Sequence, residues 1–185
     1  MQRNQTNRYS NKAKIIEMAN KIPDRWLEYK PCGRVIEGTR IVCFKVPLKP
    51  TIYVPPSSRW TVESLLEKVP NLSAVIDLTN TNRYYNPQDL LSAGVKYKKI
   101  YMPGRTVPSE AVVNEFMQSM DELLGMDDYS LVGVHCTHGL NRTGYMVCRY
   151  LIDRLGMPPA QAIKKFEKAR GYHMERPNLV NHLLG

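Results

Sequence analysis

Between positions 109 and 125 apolar residues recur at helical spacing. Val112, Val113, Phe116, Met117, Met120, Leu123 and Leu124 share one stripe. Ser109 stands where an N-cap belongs and Gly125 where a helix ends, so the pattern predicts an amphipathic helix here. Further helices are expected over 61–69, 87–93, 142–155, 159–170 and 177–184. The glycines at 94, 156 and 171 close three of them, and Asn86-Pro87 opens one as cap and first helical residue. Short β-branched runs predict strands at 41–46, 74–79, 95–102 and 131–135.

Strands alternating with helices predict an α/β fold, a single domain with a central, mostly parallel twisted sheet and helices on both faces. In such sheets ligands collect at the carboxyl ends of strands, where helices begin. Residues 1–21 are polar and basic and read as a flexible tail with a short helix near 13–19. The domain proper runs over 22–185, with Trp26 as an anchor near its start.

Length and composition narrow this further. The chain has 185 residues, of which 43% are hydrophobic, enough for one packed core. No apolar run reaches the roughly 18–20 residues of a membrane span. The basic N-terminus has no apolar stretch of the kind that directs secretion. Four cysteines are too few for a disulfide scaffold, so free thiols in a reducing compartment are expected. An intracellular protein follows, nuclear or cytoplasmic, without a membrane partner. The net charge of +9 suits anionic partners, although charge alone equally suits a solvated basic surface.

The most chemical stretch is VGVHCTHGLNRTGYMVCRYL at 132–151. An apolar strand ends at His135-Cys136, a short loop follows, and a helix begins near Arg142. A strand-end cysteine taken alone is usually inert packing. Here the helix N-terminus directs N–H groups and partial positive charge into the loop. Arg142 adds a full charge and Thr143 a hydroxyl that can donate to sulfur. Such surroundings lower a thiol from ~8.5 to roughly 3.5–7.5. The same ring of N–H groups can cradle a tetrahedral dianion, and a guanidinium can grip two of its oxygens. Thiolate and cradle together specify in-line attack of sulfur on phosphorus, then hydrolysis of a phosphocysteine. Gly139 permits close backbone approach and Gly144 tight helix packing. A zinc reading of His135, Cys136 and His138 lacks a second ligand pair. A nucleotide-loop reading of Gly139 and Gly144 fails because Tyr145 stands where lysine is required. His135 reads as a support for the loop.

The pattern His135-Cys136-x5-Arg142-Thr143 resembles the signature of cysteine-dependent phosphatases, the protein-tyrosine and dual-specificity superfamily. The fuller string resembles its RNA 5′-phosphatase branch, which takes in a baculovirus phosphatase, the animal RNA/RNP-complex-associated phosphatase and the triphosphatase domain of animal capping enzymes. IPDRW at 22–26, VIDLTNTNRYY at 75–85, GVKYKKI at 94–100 and FEKARGYHMER at 166–176 extend the resemblance to almost the whole domain. It implies Cys136 as nucleophile and Thr137, His138, Gly139, Leu140, Asn141 and Arg142 as the phosphate loop. It implies Asp77 either as a carboxylate capping loop N–H groups or in a catalytic role. It offers Arg83, Arg170 and Arg176 as contacts to distal phosphates or RNA backbone. No cofactor or metal is implied, and a monomer acting on RNA 5′ ends is expected.

One departure from the family pattern is informative. Tyrosine phosphatases protonate the leaving oxygen with an aspartate on a mobile loop before the cysteine. The corresponding segment, 102–110, has no aspartate, and Glu110 is its one carboxylate. A phenol leaving group, with a pKa of about 10, needs a proton. A terminal phosphate, with a pKa of about 6, does not. These features predict an RNA 5′-triphosphatase. A dual-specificity protein phosphatase and a non-catalytic RNA-end-binding module are the alternatives.

Overall fold

The computed structural model describes residues 2–185. The strands are β1 (Cys32–Val35), β2 (Ile41–Lys45), β3 (Leu72–Asp77), β4 (Lys96–Lys99) and β5 (Leu131–Cys136). They form one sheet in the order β1-β2-β5-β3-β4. β2, β5, β3 and β4 are parallel, and β1 is an antiparallel edge. The helices are α1 (Gln2–Ala19), α2 (Val62–Lys68), α3 (Gln88–Leu91), α4 (Glu110–Leu124), α5 (Asn141–Asp153), α6 (Pro159–Arg170) and α7 (Pro177–Leu184).

Both faces of the sheet are covered, which is why its inner strands read as nearly continuous apolar runs. Ile41, Cys43, Ile76, Val132 and Val134 meet Phe116 and Met120 of α4, Val147 of α5 and Phe166 of α6 on one face. Val42, Phe44 and Val75 meet Trp26, Trp60, Leu65 of α2 and Leu90 of α3 on the other. β5 lies at the centre, and its register sets the site. Lys45 pairs with Cys136, and Asp77 pairs with His135.

Three expectations need adjustment. The strand expected over 95–102 pairs only across Lys96–Lys99, because the chain turns away at Ile100 after its N–H binds the Asp77 carbonyl at 2.9 Å. β1 was not legible in the pattern: CGRV has no alternation and sits at an edge, where burial constrains sequence least. The short helix expected near 13–19 is instead one helix from Gln2 to Ala19. Residues 7–18 of it are exposed, so its helicity is local in origin and its apolar Ile15, Ile16 and Met18 remain uncovered. No helix among the described residues is long and apolar enough to cross a membrane.

Candidate active site

Cys136 ends the central strand and is 3% exposed. The loop after it curls under its sulfur and enters α5. Gly139 makes that curl possible. Its φ is +67°, and a Cβ there would collide with the Phe44 carbonyl of β2, so only glycine fits. Gly144 is a second close approach, where a Cβ would stand 2.6 Å from Phe166 of α6. No side chain caps α5. Among the described residues, no hydrogen bond within the protein uses the backbone N–H of Thr137, His138, Gly139 or Arg142. The helix end therefore waits for an anion.

The thiol is tuned by opposing effects. Burial pushes Cys136 up, but Arg142, the Thr143 hydroxyl and the Thr143 and Leu140 N–H groups outweigh it and leave the thiol below its ordinary value. The other cysteines, Cys32, Cys43 and Cys148, are pushed up by burial. All four are free thiols. The buried Thr143 hydroxyl makes no well-formed hydrogen bond within the protein, which leaves the Cys136 sulfur as the acceptor in its reach.

Arg142 leans across the mouth. Its Nη2 donates to the Thr137 hydroxyl and its Nη1 to the Met102 carbonyl, both at 2.9 Å. The remaining guanidinium donors can meet an anion. His135 is wholly buried. Its Nδ1–H donates to the Cys136 carbonyl at 3.0 Å, so Nε2 accepts from the Tyr85 hydroxyl at 2.7 Å. Burial holds its imidazole below the ordinary value, and the neutral ring braces the strand end. His138 donates to the Asp24 carbonyl at 2.7 Å and lies against Tyr29, 4.9 Å between ring centres.

The expected loop residues divide in two. Cys136, Thr137, His138, Asn141 and Arg142 line a cavity of about 360 Å³. Gly139 and Leu140 lie beneath it, with the Leu140 side chain in the core. The Asn141 side chain does not face the cradle. Its Oδ1 accepts from the Glu175 and Arg176 N–H groups at 2.8 and 3.1 Å. It thereby fixes the start of α7 and brings Arg176 to the rim.

Arg83 and Arg176 both line the cavity. Arg170 does not, and its expected contact with distal phosphate is corrected. It is 2% exposed and runs under the loop. Its Nε donates to the Gly139 carbonyl at 3.1 Å, and its Nη2 to the carbonyls of His138 and Lys30 at 2.8 Å. Those bonds turn loop carbonyls backwards and so leave loop N–H groups facing the cavity. Beside it Lys45, pushed down to about 8 by burial and by Arg170, donates to the carbonyls of Trp26 and Tyr29. Sequence reasoning missed Lys45 because IVCFK reads as a strand with a polar end.

The carboxylates settle where a proton donor can stand. Asp77 caps its own loop: Oδ1 accepts from the Thr79 N–H and hydroxyl, and Oδ2 from the Tyr97 hydroxyl at 2.6 Å. Burial raises its carboxyl, but His135, those hydrogen bonds and Lys99 hold it below the ordinary range. The capping reading of Asp77 is the one its geometry supports. Glu110 begins α4 and pairs with Arg149 at 2.9 Å, which lowers its carboxyl. Asp24 is the carboxylate on the cavity wall. Nothing buries it: its side chain is 94% exposed and faces Lys21 at 3.9 Å. Lys21 and Asp24 were missed, and Arg105 with them, because they reach the mouth from two loops far apart in the chain. Arg105 carries a φ of +72°, an uncommon backbone for a non-glycine residue. No three His, Cys, Asp or Glu side chains among the described residues converge as metal ligands would.

A thiol of lowered pKa under a ring of N–H groups, with an arginine across it, is a device for taking a phosphoryl group. Comparison with known proteins agrees. Residues 52–185 match the dual specificity phosphatase catalytic domain. The chain belongs to the dual-specificity phosphatase family. It is a phosphatase of the cysteine-based class. A tyrosine-protein phosphatase of Autographa californica nuclear polyhedrosis virus is 49% identical over 165 residues, covering 88% of this chain and 98% of that protein. The human RNA/RNP complex-1-interacting phosphatase is 42% identical over 172 residues, covering 89% of this chain but 52% of that protein. This phosphatase therefore spans about half the length of its animal relative. Among solved structures, Tk-PTP in its active form has a TM-score of 0.65 at 21% identity, covering 83% of this chain and 96% of that one. PTPMT1 in complex with PI(5)P has 0.61 at 23%, covering 84% and 93%. At such identities the likeness speaks to the fold.

Proposed function

We propose that this phosphatase removes the γ phosphate from RNA 5′-triphosphate ends. Cys136 thiolate attacks the γ phosphorus in line. The S–P bond forms as the bond to the β–γ bridging oxygen breaks, and the electron pair leaves on the diphosphate end. Water then attacks the phosphocysteine, phosphate departs, and the thiolate returns. The Arg142 guanidinium and the free N–H groups of Thr137, His138, Gly139 and Arg142 hold the equatorial oxygens in both steps. The charge that a divalent metal supplies in other phosphatases comes here from Arg142 and the helix end. Activity is therefore expected to survive EDTA.

The observation that carries this reading is that, among the described residues, no sheltered carboxyl stands at the mouth. Glu110 is paired with Arg149, Asp77 is enclosed behind the loop, and Asp24 stands in solvent. A general acid is normally tuned by burial or neighbours, and a diphosphate leaving group needs none. The cationic rim of Lys21, Arg83, Arg105 and Arg176 suits a polyphosphate. Animal relatives named for an RNA/RNP complex support RNA as the carrier.

Protein phosphotyrosine is the second reading, favoured by the name of the viral relative. The two separate on leaving-group dependence. kcat/KM is to be measured on triphosphate RNA, diphosphate RNA and an aryl phosphate series. Triphosphate RNA should be fastest and diphosphate RNA should follow. Phosphotyrosine should lag by the ~10²–10⁴-fold that a general acid contributes. Glu110→Gln should change RNA cleavage little. A flat dependence on leaving-group pKa, or a large loss with Asp24→Asn, would overturn the acid-free mechanism.

A further inference from the structure

Beside the catalytic cavity lies a second one of about 440 Å³, at the carboxyl ends of β3 and β4. Tyr84 lines both. Register places the new cavity two strands from Cys136, since Lys99 pairs with Asp77 and Asp77 with His135. Two strand spacings are roughly 10 Å, a span that a triphosphate bridges. A γ phosphate on the loop would put its β and α neighbours beside Arg83, which lines the catalytic cavity, and would bring the first nucleoside to this place.

The chemistry of the cavity suits a flat, uncharged ring. Its floor is rigid: the Tyr97 hydroxyl is held by Asp77, and Lys99 Nζ donates to the Thr79 hydroxyl and the Thr81 carbonyl at 2.7 and 2.8 Å. Lys99 also sits 3.2 Å from Asp77, so its charge is answered and its donors are engaged. A second phosphate would meet the Asp77 carboxylate and, among the described residues that line the cavity, no free cation. Above that floor Tyr101 is 52% exposed. Lys99 lies 4.8 Å from its centre, and its hydroxyl accepts from Asn82 Nδ2 at 2.6 Å. An aromatic face this open, positioned by hydrogen bond and cation, is a stacking platform. The Tyr101 O–H and the Asn82 amide oxygen remain for polar edges.

Resting on the triphosphatase reading, we propose that this cavity receives the nucleobase of the first nucleotide, stacked on Tyr101. Stacking tolerates every base, so the site registers that a nucleoside is present and not which one. It distinguishes an RNA end from a bare polyphosphate.

The test compares kcat/KM on triphosphate-ended RNA with that on inorganic tripolyphosphate, which offers the same bond without a base. Wild type should favour RNA. In Tyr101→Ala the RNA-to-tripolyphosphate ratio should fall about tenfold, through KM and equally for all four starting nucleotides. Tyr101→Phe, which keeps the ring, should restore it. An unaltered ratio in Tyr101→Ala, or an equal loss on both substrates, would overturn the nucleobase site while leaving the triphosphatase reading intact. A loss confined to phosphotyrosyl peptide would reassign the cavity to a protein substrate. A wild type that cleaves aryl phosphates but neither triphosphate would overturn the underlying reading, and this inference with it.

Discussion

Under the phosphate loop, His135, Arg170 and Lys45 are each no more than 2% exposed, and each bonds to backbone carbonyls. Around its mouth, Arg105 is open to solvent and Arg83 and Arg176 are half-buried. The floor is determined several times over; the rim is a set of long side chains on separate loops. The difference assigns two tasks. A floor with loop carbonyls pinned from below presents its N–H groups to any phosphoryl group, whatever carries it. On the proposed reading the rim and the Tyr101 cavity would meet the rest of the molecule, which would place substrate choice there.

If this division holds, floor substitutions should damage every substrate and rim substitutions only some. The largest effect is expected for Cys136→Ser: turnover should fall about 10³-fold or more on RNA and aryl phosphate alike. Vanadate or phosphate binding should persist, because the cradle is unchanged. Arg142→Lys should follow at about 10²–10³-fold, since a point charge cannot reproduce the fork. Retained turnover in either variant would remove the floor from the chemistry.

Arg170→Met should come next. It leaves the His138, Gly139 and Lys30 carbonyls unanswered inside the protein, and stability should drop by about 3 kcal/mol in urea unfolding. Its distinguishing mark is weaker vanadate binding in the folded protein, because loop N–H groups are no longer held inward. Normal anion affinity at full folding would show that the loop holds itself.

A pH profile sharpens the comparison further. The Cys136 thiol lies below its ordinary value, so thiolate exists from that lowered point upward. The acidic limb of kcat/KM should therefore fall below the ordinary thiol value. The same ionisation stabilises the fold above the unfolded thiol value, and this contribution is lost as pH falls through the folded one. Thr143→Val, which removes one hydroxyl from the sulfur, should move the limb to higher pH. An unmoved limb in iodoacetate inactivation would take Thr143 out of the tuning.

The smallest effect belongs to the rim. Arg176→Ala should lower kcat/KM on triphosphate RNA about 2- to 5-fold, as a solvent-screened charge does, and flatten its salt dependence. Aryl phosphate cleavage should be the less affected. Equal losses on both substrates would merge rim and floor into one unit.

Much of this was local in the chain and therefore legible there. The stripe from Val112 to Leu124 formed α4 with its Ser109 cap. The loop from Cys136 to Arg142 formed between a central strand and a helix, because one contiguous turn builds strand end, cradle and helix start together. The α/β sheet followed from alternating elements, each of which must bury one face. The roles of single residues at long range were not legible. Arg170 and Arg176 are six positions apart, yet one is enclosed beneath the loop and the other reaches its rim. That outcome depends on α6 packing against α5 at Gly144 and on Asn141 holding the chain at Glu175. Lys21 and Asp24 of one loop meet Arg105 of a distant one at a single cavity, and Tyr101 gains its place because β4 ends at Lys99. Spacing along a chain reports contacts made within an element. Which distant side chain is sheltered and which is open is decided only when the layers close, since burial is a property of the whole packing and not of the segment.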